Sequence, residues 1–368
     1  MMRVLILVDE SFAARERSLI SRLEIGLADD AVRLVHGVPS RASHWYQGGI
    51  FSQAISYEDH GLLISRSWRV RRFVESLRQA MGDDEHPIDL VHVYGVPAWP
   101  IAAEVVHQTG AALAVEISST AAAAEAVRLR TGFGTSAPVF FIPDPALERP
   151  LRGDETGVQV RVTPWGVHTP APKREILQRE RCISVFMAGS GDDPAAWTVA
   201  LEALAACTKD VPDLMIFVDS EAAYRAGLWA HVSRLGLRER LTLSPHLEAR
   251  RELTLEGDVL LLPEARGVHR SLTLDAMAAG MLVVAAADPH VSVLADGRTA
   301  WLVERATADA WTNALRRTFE DRSASLSLAG AAREHIRQHC RASTHVASVM
   351  GAYEWMLSSE SIPFGAAS

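Results

Sequence analysis

Residues 260–285 read LLLPEARGVHRSLTLDAMAAGMLVVA, and this stretch decides the fold. The leucine run up to Pro263 is short, apolar and uncharged, the pattern of a strand buried on both faces of a parallel sheet. A loop with Gly267, His269 and Arg270 follows. From about Ser271 the residues suit a helix, and Gly280 supplies its stop. Residues 282–285 form a further apolar run and read as the next strand. Strand, loop, helix and strand in this order make a parallel βαβ unit. The helix start leaves the backbone N–H groups of Ser271, Leu272, Thr273 and Leu274 without intrahelical acceptors. With the positive end of the helix dipole they suit a phosphate. Arg266, His269 and Arg270 can add charge-assisted hydrogen bonds. Asp275, in the second turn, can accept hydrogen bonds from sugar hydroxyls. The plainer alternative is an ordinary N-cap at Ser271 and a solvated Asp275, and spacing alone does not separate the two.

The same texture extends in both directions. Residues 4–8 (VLILV), 90–94 and 112–117 read as buried strands, and 68–81 and 98–109 as helices. Residues 164–172 (PWGVHTPAP) are rich in proline, and a charged stretch follows, which makes this the best linker. After it, strands are expected at 182–188, 214–218, 241–243, 258–262 and 282–285. Helices are expected at 193–207, 221–235, 271–279, 308–319 and 326–339. Two doubly wound α/β domains follow: an N-terminal one over 1–170 and a C-terminal one over 171–345. Residues 346–368 form a last segment that can cross back to the first. Ligands of such sheets sit outside the carboxyl ends of the strands, which here predicts a site in a cleft between the two domains.

Composition narrows the function. The chain has 368 residues, 48% hydrophobic and 22% charged, with a net charge of −8. This is ordinary globular composition without a basic footprint, so no nucleic-acid partner is expected. The three cysteines, Cys182, Cys207 and Cys340, are widely spaced. They suggest neither a disulfide framework nor a zinc site, and the cytoplasm is the default. The N-terminal apolar run is too short for a signal peptide or a membrane span. Association with a membrane surface stays open. Of 37 Lys+Arg residues only Lys173 and Lys209 are lysines, so chemistry that needs a lysine has two candidates.

Residues 260–285 resemble the signature of group 1 glycosyltransferases, the retaining, family-4-like enzymes of the two-domain GT-B fold. The matching helix reads Asp275-Ala276-Met277-Ala278-Ala279-Gly280, followed by Leu282-Val283-Val284. Further pieces fall in the family's order: DLVHVYG at 89–95, VTPWGVH at 162–168, LGLRERLTL at 235–243 and DGRTAWLV at 296–303. The resemblance is strong over 180–340 and weak over 10–85. It implies GT-B architecture, two Rossmann-like domains, and a metal-independent transfer of a sugar from a nucleotide-diphospho-sugar to a saccharide or lipid-linked acceptor. No covalently bound cofactor is implied. In such a transfer the enzyme chiefly positions two sugars and stabilises the departing diphosphate.

The departures are specific. Of the family's two acids, eight positions apart, the second falls on Asp275 and the first on Gly267, which has no side chain. Glu264 lies three residues earlier. The family's phosphate-neutralising Arg and Lys would fall in the loop holding Gly189, Ser190 and Gly191. Ser190 takes the arginine position, and Asp192 and Asp193 stand where cations belong. Losing two charge-assisted contacts weakens diphosphate binding by about one to several decades unless other groups compensate. Arg266, His269 and Arg270 are the candidates for compensation, with Arg15 or Arg17 of the N-terminal domain as further ones. The leading reading is therefore a divergent glycosyltransferase. The alternatives are a catalytically degenerate GT-B protein that binds or scaffolds, and a sugar-nucleotide epimerase-like use of the fold.

Other residues carry weaker claims. His92 reads as a packed, hydrogen-bonded core histidine rather than a substrate contact. Trp45, Trp99 and Trp165 read as packing anchors before sugar-stacking surfaces. The arginine-rich run 69–72 (RVRR), after Trp68, reads as a solvated helix face, with an acidic acceptor or anionic lipid as the alternative.

Overall fold

The computed structural model describes residues 1–42, 52–59, 65–82, 87–129, 137–153, 158–171, 175–178 and 180–358. Trp45 and Lys173 lie outside them. The chain divides into two compact units, Met1–Trp165 with Ala342–Ser368, and Gly166–Arg341.

The first unit runs β1 (Arg3–Val8), α1 (Glu10–Arg15), α2 (Arg17–Asp29), β2 (Arg33–Pro39), β3 (Ser52–Tyr57), α3 (Arg66–Met81), β4 (Leu90–Tyr94), α4 (Trp99–Thr109), β5 (Ala112–Glu116), α5 (Thr120–Leu129), β6 (Val139–Ile142), α6 (Glu148–Arg152) and β7 (Val160–Val162). Its seven strands form one parallel sheet in the order β3-β2-β1-β4-β5-β6-β7. Val4 of the central strand lies opposite Leu34 on one side and Leu90 on the other. The order reverses beside β1, the switch point at which a doubly wound sheet opens to a ligand. The VLILV run of β1 is wholly buried, as its lack of polar residues requires.

The second unit runs β8 (Ile183–Met187), α7 (Pro194–Cys207), β9 (Leu214–Asp219), α8 (Ser220–Arg225), α9 (Leu228–Arg234), β10 (Leu241–Ser244), α10 (Arg251–Thr254), β11 (Val259–Leu262), α11 (Ser271–Ala279), β12 (Leu282–Ala286), β13 (Trp301–Val303), α12 (Ala308–Glu320) and α13 (Arg322–His339). Its six strands are parallel in the order β10-β9-β8-β11-β12-β13. The last helix, α14 (Ala342–Leu357), belongs to the first unit.

The elements differ from expectation in instructive places. Residues 221–235 form two helices, because Gly227 takes a left-handed φ of 64° between them. The strands β3 and β7 have no strong apolar run, β13 is an apolar run of only three residues, and all three are sheet edges. The burial of β3 is only partial along its length. No helix among the described residues is long and apolar enough to cross a membrane.

Candidate functional site

In the second unit, two loops meet beyond the carboxyl ends of β8 and β11. The first holds residues 188–193 and leads into α7. Gly191 takes a left-handed φ of 79°, and a Cβ there would stand 2.4 Å from the Ala222 carbonyl oxygen, so only glycine fits. Asp193 caps α7 by accepting from the Ala196 N–H at 3.1 Å. The second loop, residues 263–270, leads into α11.

Glu264 joins the two. Its carboxylate accepts from the Ser190 N–H (2.7 Å), the Ser190 hydroxyl (3.1 Å) and the Asp193 N–H (3.0 Å). Gly189 permits this approach, since a Cβ there would stand 2.7 Å from Glu264 Oε2. A carboxylate set on loop N–H groups before a helix uses the same attraction that would hold a phosphate. Arg266, which is exposed, donates to the Asp192 carbonyl at 3.1 Å.

The start of α11 is built from buried charge. Arg270 takes the N-cap position without a side-chain cap and pairs with Glu248. Arg251 pairs with Asp275, Nε to Oδ2 at 3.2 Å, and donates from Nη2 to the Ser271 hydroxyl at 2.9 Å. These four charged side chains are all largely buried, and pairing is what makes such burial tolerable. Gly267 donates its N–H to Asp288 Oδ2 at 2.5 Å. His269 Nε2 donates to the His290 carbonyl at 2.9 Å.

Of the residues expected to form a site, the structure gathers Gly189, Arg266, Arg270 and Thr273 around one cavity of about 30 Å³, with Glu264 and Asp288. That is room for about one water molecule. Ser190 and Gly191 belong to the same loop as Gly189. Leu272 and Leu274 are buried with apolar side chains, so only their backbones can serve a ligand. Gly267, His269, Ser271 and Asp275 are engaged with protein partners as described. Glu248, Arg251 and Asp288 were not expected. They lie 20 to 24 residues from the Arg270, Asp275, Ser271 and Gly267 atoms they hold, and nothing in their local sequence signals the pairing. No group of three or more His, Cys, Asp or Glu residues suited to a metal ion occurs among the described residues.

Residues 177–321 match the family "Glycosyl transferases group 1". This stretch is similar to the group 1 glycosyltransferases. No curated protein matches the chain by sequence. By structure the chain is similar to sucrose-phosphate synthase from Thermosynechococcus elongatus, with a TM-score of 0.75 at 15% identity over 97% of this chain and 99% of that one. It is also similar to HepE of Anabaena in complex with UDP and glucose, with a TM-score of 0.74 at 15% identity over 96% and 100% of the two chains. A third similar structure is WaaG, a glycosyltransferase involved in lipopolysaccharide biosynthesis, with a TM-score of 0.64 at 12% identity over 95% and 99%. These likenesses are of fold, and the fold is GT-B, as the sequence implied.

The first unit holds a second buried polar cluster. His92 is fully buried, with Nδ1 2.7 Å from Tyr353 Oη and 3.1 Å from Tyr94 Oη, and Nε2 3.2 Å from Glu116 Oε2. Trp165 donates from Nε1 to Glu116 Oε1 at 2.7 Å. Burial pushes the Glu116 carboxyl up to about 8 and the His92 imidazole down to about 3. Both groups are therefore neutral at pH 7. A protonated carboxyl donating to Nε2, with Nδ1–H donating to Tyr353 Oη, satisfies the ring. His92 is the packed, hydrogen-bonded histidine that its strand position suggests. Trp99 is likewise buried in the core, and Trp165 is buried.

Proposed function

We propose that the chain is a retaining glycosyltransferase that moves a sugar from a nucleotide-diphospho-sugar to a saccharide or lipid-linked acceptor without a metal ion. One observation carries the reading. Within the stretch similar to group 1 glycosyltransferases, the loop holding Gly189, Ser190 and Gly191, the loop holding Arg266 and Gly267, and the start of α11 converge beyond the carboxyl ends of the strands. A fold neighbour, HepE, has been solved with UDP and glucose, which makes uridine the first base to try. In this reading the backbone of residues 271–274 holds the diphosphate with Arg266 and Arg270. The Ser271 and Leu272 N–H groups are the donors not used by the first turn, while the Thr273 N–H donates to the Arg270 carbonyl at 3.1 Å. Asp275 holds donor hydroxyls. The leaving diphosphate is then stabilised by fixed dipoles and cations rather than by proton transfer.

Calorimetric titration of the folded chain with UDP-, GDP- and ADP-sugars tests it. At least one should bind, and Asp275→Ala should weaken that binding by about tenfold or more. An unchanged affinity would move the donor site away from α11.

The second reading, a degenerate GT-B protein that binds or scaffolds, has its own support. Glu264 already sits on the loop N–H groups, and Arg270 and Asp275 already have buried partners. Failure of every nucleotide sugar to bind would favour it.

A further inference from the structure

The arginine run of the first unit remains unexplained by a donor site. It lies on α3, where Arg66, Arg69, Arg71, Arg72 and Arg78 face a single acid, Glu75. In a chain of net charge −8 this is a concentrated positive patch. Its amphipathic partner face is accounted for, because Val70, Phe73, Val74 and Leu77 are buried in the core. The exposed side of the first two turns opens on a cavity of about 150 Å³.

The cavity has a fixed floor and a chemically mixed rim. It lies beyond the carboxyl ends of β2 and β3, since Ser40 follows the last residue of β2 and Tyr57 ends β3. Tyr57 Oη donates to the Val8 carbonyl at 2.8 Å, and the Ser40 hydroxyl donates to the Tyr57 carbonyl at 3.1 Å. Arg69 is held at the rim by donating from Nη1 to the Glu58 carbonyl at 3.0 Å. Arg72 rests on the Trp68 indole, with Cζ 5.1 Å from the ring centroid. Trp68 itself is 47% exposed, so its indole is open to a ligand from the solvent side. Ser56 and Ser76 complete the polar lining.

These groups match one ligand chemistry. The indole offers an apolar surface to the C–H face of a sugar ring. The guanidinium groups offer charge-assisted hydrogen bonds to a carboxylate or phosphate. The serine hydroxyls serve sugar hydroxyls as donors or acceptors. Glu58, exposed, is the one acid on the rim among the described residues. We propose that this pocket binds a sugar bearing a carboxylate or phosphate group. The inference goes beyond the donor-site reading and does not depend on it, because every residue used belongs to the first unit.

Calorimetric titration of the full chain tests it with glucuronic acid and glucose 6-phosphate, beside glucose and inorganic phosphate. The two acidic sugars should bind at least about tenfold more tightly than either glucose or phosphate, because only they engage both the indole and a guanidinium. Arg72→Gln and Trp68→Ala should each weaken the acidic sugars by about tenfold. Both side chains are exposed, and circular dichroism checks that each variant is folded. Phosphate binding as tightly as glucose 6-phosphate would reduce the site to a cation patch and overturn the proposal. So would full affinity in both folded variants, or no binding of either acidic sugar. Adsorption to phosphatidylglycerol vesicles with no soluble acidic sugar bound would make α3 a membrane contact, and also overturns it.

Discussion

Glu264 places a carboxylate where three hydrogen-bond donors of the loop before α7 converge, all within 3.1 Å. An internal anion on these N–H groups competes with any external one for the same attraction. Glu264→Ala should free the Ser190 and Asp193 N–H groups and remove a negative charge. UDP and inorganic pyrophosphate should then bind at least about tenfold more tightly than to the parent chain by calorimetry. The loop should lose about 1–3 kcal/mol of support in the same variant. Equal affinities in a folded variant would mean that ligands do not reach this loop. The sequence shows Arg270 and Asp275 as candidates because both flank a helix start. It cannot show that Arg270 is matched by Glu248 and Asp275 by Arg251. Those partners come from α10 and the turn before it, more than twenty residues away, and only the folded chain brings them together.

Elements are legible in proportion to how fully the fold buries them. The strands β1, β4, β8, β11 and β12 are interior and nearly all apolar, so composition alone marks them. Strands at the edges satisfy half their backbone through one neighbour and leave side chains half-exposed. Their sequences, such as SQAISY in β3, therefore carry a diluted pattern. The helix α14 shows what a late element can contribute. Its Tyr353 reaches His92 and lies 6.0 Å from the Phe141 ring. Arg161 stacks on Trp355 with Cζ 3.6 Å from the ring centroid. Gly26 of α2 leaves the space filled by Val346, because a Cβ there would stand 2.4 Å from Val346 Cγ2. Removing residues 342–368 should thus expose Phe141, His92 and the α2 face at once. Calorimetric scanning should then lose the transition of the first unit, while the second unit retains its own. Retention of both transitions would show that α14 is dispensable for folding.

At the scale of the whole molecule, two units with separate hydrophobic cores are expected to give separable unfolding transitions, and the first should carry a distinctive pH dependence. Glu116 has a folded value of about 8 against an ordinary 4.5. Between these values the folded unit keeps a proton that the unfolded chain has lost, so stability falls as pH rises. From pH 6.5 to 8 the loss amounts to at most about 2 kcal/mol. Burial holds His92 and His345 near 3, below the usual 6.5. Their contribution has the opposite sign: the unfolded chain takes up protons first, and stability falls as pH drops below about 6.5. For these three groups the two limbs meet near pH 6.5, and Asp9, whose carboxyl is also raised by burial, adds to the fall with rising pH. Glu116→Gln keeps an acceptor for Trp165 and removes the titrating group, so it should flatten the alkaline limb and, because Glu116 also offsets the two histidines between pH 4.5 and 6.5, steepen the acid limb. Urea midpoints measured from pH 5 to 8.5 on both chains check this, and an alkaline limb of unchanged slope in the variant would assign that dependence to other groups.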